Sequence, residues 1–502
     1  MALRSCPVFV ILRLIRKKDG AEDPSSRRQA AAVMSKLSAG EVESGTGGTL
    51  VKGSRNTAFS KVSIDTRTLH NEDVFFAIRG PNQDGHRFVP DALAKGALGA
   101  VVEQGYEYPG QFPAGRVLIK VADTHEALKY LAMSVRHRWQ GTLVAVTGSM
   151  GKTTTRAFVA QVMQSEFNVY QTPGNYNNLF GLPLALLGLS LDYDIGVFEM
   201  GMSAPGEIAE MCRIAAPSVG IITNVAPVHL QFFDSIEKIA DAKAELAEAL
   251  PLEGTLIYNA DDRLVRSVAT RFVGRKISFG LSNSADIRAD TVEIAGLDKT
   301  RFRLSFEGIT RKAVIPFAGA HYVLNALPAV ALANLYHIAL AQIVESLERL
   351  QQVAMRGQIL RFKEGFTLID DSYNSNPQAL MQMIETASRV PSFTRRILVA
   401  GEMLELGKDS DSLHFECGTF AAGHGMDMVI GIRGAAREIV RAAMESGMSG
   451  SQACFFPDSD AATDFVNGIV RAGDLILIKG SRGVHMERIV QHLRSHFESL
   501  SF

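Results

Sequence analysis

The residues whose types and spacing most clearly serve chemistry are Thr147-Gly148-Ser149-Met150-Gly151-Lys152-Thr153-Thr154. They follow an apolar, β-branched run, Leu143 to Val146, and precede a segment with helical apolar spacing at Phe158, Val159, Val162 and Met163. Strand, glycine turn and helix in that order make a phosphate cradle, because the turn's N–H groups and the helix dipole converge on an anion. Lys152 can reach the β- and γ-phosphates, and the Thr153 hydroxyl can sit on Mg2+. The longer form of this loop wants a glycine where the chain has Val146, so the match is to the shorter Thr-Gly-x-x-Gly-Lys-Thr form. Dinucleotide binding is disfavoured, since the glycine turn contains Lys-Thr rather than the Gly-x-Gly-x-x-Gly pattern.

Three further side chains could complete a metal-assisted phosphate site. Glu199 ends the run Ile195 to Phe198, and open parallel sheets bind ligands at the carboxyl ends of their strands. It could hold a Mg2+ that bridges phosphate oxygens; the plainer reading is a solvated strand-end acid. His229 lies in a loop after Gly220 to Thr223 and, taken alone, has a structural explanation. Lys243 falls in the middle of an apolar stripe, Ile236, Ile239, Ala240, Leu246, Ala247 and Leu250, on a helix expected over 235–250. Either its stem snorkels to water, or burial depresses its pKa and the neutral amine takes up CO2, giving a metal-binding carbamate. Spacing leaves both open.

The elements that must position these groups read as an α/β chain. Its 502 residues, 46% of them hydrophobic, suffice for about three domains with packed cores. The net charge of -1 gives no global field for nucleic acid or an anionic membrane, so phosphate must be bound locally. Cys6, Cys212, Cys417 and Cys454 show no paired spacing, which points to reduced thiols and a cytoplasmic protein. No segment carries the 18 or so uninterrupted apolar residues of a membrane helix, so a soluble protein without a membrane span is expected. The apolar stretch 7–15 is short and broken by Arg13, and residues 1–29 are expected to be a disordered extension.

The N-terminal domain is placed at 30–140, with short strands at Val62 to Arg67 and Val74 to Ile78, a helix over 88–95, and strands near 101 and 118. Its loops carry Asp65, Thr66, Arg67, Asp84 and His86, each of which has a turn-cap reading. The central domain, 141–353, holds the phosphate loop in a mainly parallel sheet implied by alternating strands and helices. Pro328 falls inside its last helical pattern and should kink that helix or set its first turn. The C-terminal domain, 354–502, shows four strands, at Phe366 to Asp370, Ile397 to Gly401, Met428 to Gly431 and Leu475 to Gly480, without a phosphate loop of its own.

Taken together, these motifs resemble the Mur ligase family, ATP-dependent amide-bond-forming enzymes of peptidoglycan precursor synthesis, over residues 30–497. The resemblance rests on the phosphate loop, Asp65-Thr66-Arg67, Asp84-Gly85-His86, Thr172 to Asn178, Glu199-Met200-Gly201, Ala242 to Glu245, Met355-Arg356 and Lys479 to Arg482. Asp371-Ser372-Tyr373-Asn374 and the 401–407 run Gly-Glu-Met-Leu-Glu-Leu-Gly resemble the D-alanyl-D-alanine-adding branch. The Asp-Asn-Pro-Arg signature of the diaminopimelate-adding branch is absent.

The resemblance implies an N-terminal UDP-sugar domain that uses Thr66, Arg67, Asp84 and His86, a central ATPase, and a Rossmann-like C-terminal domain for the amino component. It implies ATP contacts from Thr147 to Thr154, Asn325, Arg356 and Asp371. Thr153 and Glu199 would hold Mg2+, with His229 and a carbamylated Lys243 at a second metal. Lys152, Glu199, His229, Lys243 and Arg356 would form the catalytic set. Asn175, Asn177 and Asn178 would line the peptide side, and Tyr373, Asn374, Lys479, Ser481 and Arg482 the dipeptide side. The implied partners are UDP-MurNAc-tripeptide and D-alanyl-D-alanine, joined through an acyl phosphate by a monomer. A folylpolyglutamate synthase would share the ATP site, but the Asp-Thr-Arg and Asp-Gly-His domain argues against it. Tyr322 stands where the family often has Asn, which moves base recognition towards Asn325.

Overall fold

The computed structural model describes residues 36–80, 83–228, 231–282 and 284–500. The expectations for residues 1–29 and for His229 lie outside the described residues.

The first sheet has five strands in the order Thr49–Lys52, Val117–Val121, Gly99–Glu103, Val74–Phe76, Val62–Ser63. The strand expected from Val62 to Arg67 stops at Ser63, for a local reason. Ser63 Oγ accepts the Asp65 N–H at 3.2 Å and Asp65 Oδ1 accepts the Arg67 N–H at 2.9 Å. Side-chain oxygens thus take the N–H groups a ladder would need.

Helix Thr124–Arg138 then leads almost directly into strand Thr142–Thr147. Trp139 fills the junction, fully buried, and its indole N–H donates to the Tyr193 carbonyl at 2.8 Å. A Cβ at Gly141 would overlap its ring, and one at Gly196 would overlap Phe198 and crowd the indole.

The central sheet has nine strands, and Thr142–Thr147 sits inside it between Val219–Ile222 and Ile195–Glu199. All six residues of Thr142–Thr147 are buried, as a strand covered on both faces requires. Seven strands, from Val169–Gln171 at one edge to Ile287–Ile294, pair in parallel. The remaining two, Thr300–Phe306 and Ile309–Ile315, add antiparallel. Their hairpin turns on Glu307 and Gly308, both with positive φ, the backbone a two-residue hairpin needs. Helix Ala320–Leu335 runs through Pro328, so this proline does not set a first turn. It packs against helix Lys152–Met163, which begins at the phosphate loop.

The C-terminal sheet has six strands in the order Gln358–Arg361, Thr367–Asp371, Asp474–Lys479, Arg395–Gly401, Met428–Ile432, Ala453–Phe456. The four central ones coincide with the four strands read from apolar runs. The two edge strands are mostly half-buried and lack the continuous apolar signal of a covered strand. The register sets Asp371 beside Lys479 and Lys479 beside Ala400, at the carboxyl ends where such sheets bind ligands.

Trp139→Ala removes the largest side chain at the junction of the first two domains. It should destabilise the protein by about 3–5 kcal/mol, seen as a lower urea midpoint for the first unfolding transition.

Candidate active site

The phosphate loop is shaped by close backbone approach. Gly148 and Gly151 have positive φ, and a Cβ would overlap Thr223 Oγ1 at Gly148 and Asn325 Oδ1 at Gly151. The segment after the neighbouring strand holds the loop: Asn224 Oδ1 accepts the Met150 N–H at 2.8 Å, and the loop's own Ser149 Oγ donates to the Ala226 carbonyl at 3.1 Å. Thr147, deeper in the sheet, donates to the Met200 carbonyl at 2.8 Å. Lys152 folds back on its own loop and donates to the Gly148 carbonyl at 2.7 Å. Burial holds its pKa below the usual lysine range; Glu199 opposes that and Arg356 adds to it.

Glu199 is buried at the end of the neighbouring strand. Its Oε1 accepts from Asn177 Nδ2 at 2.8 Å. Its Oε2 is buried without a hydrogen-bond partner and lies 3.7 Å from Arg156 Nη1. Lys243 is 2% exposed and lines the same cavity. The snorkelling reading therefore fails: the amine stays inside. Burial, and then the charge of Lys152, drive its pKa well below the usual lysine range.

These groups open on a cavity of about 590 Å3 whose far wall is the C-terminal domain. Ser149 to Thr154, Asn175, Asn177, Asn178, Glu199 and Asn325 line one side, and Arg356, Asp371, Tyr373, Asn374, Lys479 and Arg482 the other. Arg356 reaches across, its Nη2 3.5 Å from Thr153 Oγ1. Its guanidinium lies 4.2 Å from the centre of the Tyr373 ring, which Arg482 approaches at 5.5 Å. The Tyr322 hydroxyl donates to the Arg356 carbonyl at 2.7 Å, so this tyrosine anchors the arginine's backbone.

Three models of one family match successive parts of the chain. "Mur ligase family, catalytic domain" matches residues 58–136, "Mur ligase middle domain" 146–333, and "Mur ligase, glutamate ligase domain" 355–482. The UDP-N-acetylmuramoyl-tripeptide--D-alanyl-D-alanine ligase of Bacillus subtilis (strain 168) is 32% identical, over 87% of this chain and 93% of its own. This chain belongs to the Mur ligase family. MurF from Acinetobacter baumannii has a similar structure, with a TM-score of 0.81, 28% identity, and 92% of this chain and 100% of that one covered. MurF ligase from Thermotoga maritima, solved in complex with ADP, matches with a TM-score of 0.75 and 26% identity, over 87% and 97% of the two chains.

As in the family, three α/β units follow one another, and the cavity lies where the middle and last units face each other. Within it the expected groups are not all free. Asp371, expected at the nucleotide, and Lys479, expected at the dipeptide, form one buried ion pair of 2.6 Å, and Lys479 also donates to the Asn374 carbonyl at 2.9 Å. Strand register makes them neighbours. Asn178 Oδ1 accepts the Gly181 N–H at 2.8 Å, and Ser481 Oγ accepts the Leu404 N–H at 2.9 Å; both oxygens support backbone.

The residues of the first domain form a separate cluster. His86 Nε2 accepts the Glu103 N–H at 2.9 Å, so its Nδ1 donates to Asp84 Oδ1 at 2.6 Å. Arg79 lies 3.1 Å from Glu103 and 3.5 Å from Asp84, while Arg67 pairs at the surface with Asp65. Neither this cluster nor Thr66 lines the central cavity.

Sequence reasoning missed Arg156, Tyr322, Asn224 and His125. Arg156 carried the signal that flagged Lys243, a charge amid buried helix positions. Tyr322 was noted only as a departure. His125, which stacks on Phe180 at 4.1 Å and lines the cavity, has no signal in the sequence.

Residues present fit a magnesium ion: an unpartnered buried carboxylate oxygen, the Thr153 hydroxyl and space for phosphate oxygens are the hard donors it takes. Among the described residues no group of three or more His, Cys, Asp or Glu comes together, as expected where phosphates supply much of the coordination.

Gly151→Ala should strain the loop and displace Asn325, at a cost of about 1–3 kcal/mol. ATP binding by calorimetry should weaken roughly tenfold or more.

Proposed function

We propose that this chain joins D-alanyl-D-alanine to UDP-N-acetylmuramoyl-tripeptide with cleavage of ATP, giving the UDP-MurNAc-pentapeptide. The observation that carries the reading is the single cavity in which a phosphate loop faces Arg356, Lys479 and Arg482. The B. subtilis relative, matched over 93% of its length, has that activity as its name. We assign residues 30–140 to the UDP-sugar, with Thr66, Arg67, Asp84 and His86 as its contacts, 141–353 to ATP, and 354–502 to the dipeptide.

A carboxylate is a poor electrophile, and the γ-phosphoryl of ATP must first pass to the terminal carboxylate of the tripeptide. The loop's N–H groups and Lys152 hold the phosphates, Lys152 exchanging the Gly148 carbonyl for a phosphate oxygen. Arg356, already beside Thr153, spreads charge on the transferring group. Asn177 holds Glu199 in place through its Oε1 and leaves Oε2 without a hydrogen bond, 3.7 Å from Arg156 Nη1. Thr153 and Glu199 would hold Mg2+, with His229 and a carbamylated Lys243 at a second ion, and bound metal would neutralise phosphate oxygens.

The acyl phosphate then meets the dipeptide's free amine. The nitrogen lone pair attacks the acyl carbon, the tetrahedral adduct collapses, and phosphate leaves with the C–O electron pair and takes up the proton that nitrogen gives up. Arg482, 57% exposed at its side chain, is placed to pair with the dipeptide carboxylate. Lys479 and Asp371 hold the strand ends on which that subsite is built. No Ser or Cys nucleophile is required, because the substrate itself carries the activated acyl group.

Two measurements test this. Phosphate release should require ATP, UDP-MurNAc-tripeptide and D-alanyl-D-alanine together, and Lys152→Ala should abolish it; full release from that variant would overturn the reading. Incubation with 13C-bicarbonate should give a carbamate carbon resonance that Lys243→Arg removes, since only a neutral buried amine takes up CO2.

A further inference from the structure

His414 lies on helix Ser410–Gly423, fully buried, outside the cavity and outside every role assigned above. Both ring nitrogens are used. Nδ1 is 2.7 Å from the Ser410 carbonyl, to which it can only donate. Nε2 is therefore the acceptor, and it takes the Met403 N–H at 2.9 Å. The imidazole is neutral, with one tautomer fixed by its two partners.

Met403 sits in the 401–407 loop, which has no helix or strand of its own beyond Gly401 before the short turn at Gly407–Asp409. From this pin the contacts run straight to the site. The Leu404 N–H donates to Ser481 Oγ at 2.9 Å, and the Ser481 N–H donates to the Glu402 carbonyl at 3.1 Å. Ser481 stands between Lys479 and Arg482, both in the cavity wall. On its other side the loop reaches the central domain, where the Gln231 N–H donates to the Glu405 carbonyl at 3.2 Å. One irregular loop therefore carries both the dipeptide wall and a seam between domains.

We infer that His414 is a positioning residue for the amine substrate: its neutral imidazole fixes the 402–405 loop and, through Ser481, the placement of Lys479 and Arg482. This rests on the proposed ligase reading. Loss of the acceptor leaves the Met403 N–H unpaired in the interior, and the loop must move to satisfy it. Protonation has the same effect, since an N–H on Nε2 would then face the Met403 N–H.

The charged groups around the ring are Glu402 on the loop, Asp411 on its own helix and Glu438 on helix Ala436–Glu445. They favour the imidazolium, as does the Ser410 carbonyl, but burial outweighs them and holds the group below the usual histidine range. A folded-state pKa below the unfolded value makes the pinned arrangement fully present above about pH 6.5 and loses it as pH falls through the folded value.

The test is steady-state kinetics of wild type, His414→Gln and His414→Leu with all three substrates, across pH 5 to 8. The Leu variant should raise KM for D-alanyl-D-alanine about tenfold while KM for ATP holds within about twofold. The Gln variant, whose Oε1 can accept from Met403, should recover most of that loss. Wild type should show a steeper rise of dipeptide KM as pH falls than the Gln variant, which cannot protonate at this position and keeps only the limb set by the substrate's own amine. If the Leu variant fails to fold, the Gln variant's pH profile still decides. An unchanged dipeptide KM in the Leu variant, equal rises for ATP and dipeptide, or an identical acid limb in the Gln variant would overturn the inference. A wild-type protein that binds ATP but forms no amide would instead overturn the ligase reading itself.

Discussion

The site is built around an excess of confined positive charge. Lys152 and Arg156 on one helix, Lys243 on another, Arg356 on a loop and Lys479 at a strand end converge against the carboxylates of Glu199 and Asp371. Basic groups gathered away from water lose hydration and repel one another when charged, which depresses Lys152 and Arg156 and drives Lys243 towards its neutral amine. A polyphosphate brings the missing negative charge. Loop geometry, the free oxygen of Glu199 and the reach of Arg356 towards Thr153 all follow from keeping these groups apart and aimed until it arrives.

The three parts contribute unequally to that arrangement. The central sheet supplies rigid strand ends, with the phosphate loop on a strand buried on both faces. The C-terminal sheet supplies groups whose positions depend on register, as at Asp371 and Lys479, and on loops pinned by single side chains, as at Tyr322 and His414. The first domain holds its own polar cluster around His86. Relatives with the same three-part build cover nearly the whole length of the chain.

Much of this was legible in the sequence where one strong local pattern decided the outcome. Apolar runs flanked by glycine located the central strands of two sheets, and an apolar stripe put Lys243 on a buried helix face while leaving open whether its amine reached water. Local patterns failed where a side chain competes with the backbone, as when Ser63 and Asp65 end a strand early. They failed also where pairing is decided at a distance. Nothing near Asp371 announces that Lys479 will neutralise it, because their meeting is a property of strand order. Edge strands such as Gln358–Arg361 escaped because half-buried positions carry no continuous apolar signal. Neutral histidines such as His414 escaped because a ring's two partners are known only once the loop has folded onto it.

The short junction at Trp139 differs in kind from the connection at the other end of the central domain. A helix of the first domain runs into the strand that bears the phosphate loop with only three residues between, wedged by a buried indole. Arg136 on that helix is tied to the carbonyls of Ala215 and Ala216 in the central domain at 2.6 and 2.9 Å. The other connection passes through Met355 and Gly357, both in the left-handed region, beside the arginine that touches the loop. The first two domains are thus joined by packed side chains and hydrogen bonds, and the third by a short left-handed turn. The phosphate loop is therefore set against the first domain by packing, whereas Arg356 meets Thr153 from the far side of that turn. A shift at that turn would move Arg356 relative to Thr153 together with Lys479 and Arg482, so completing the phosphate site and bringing up the opposite wall are one event.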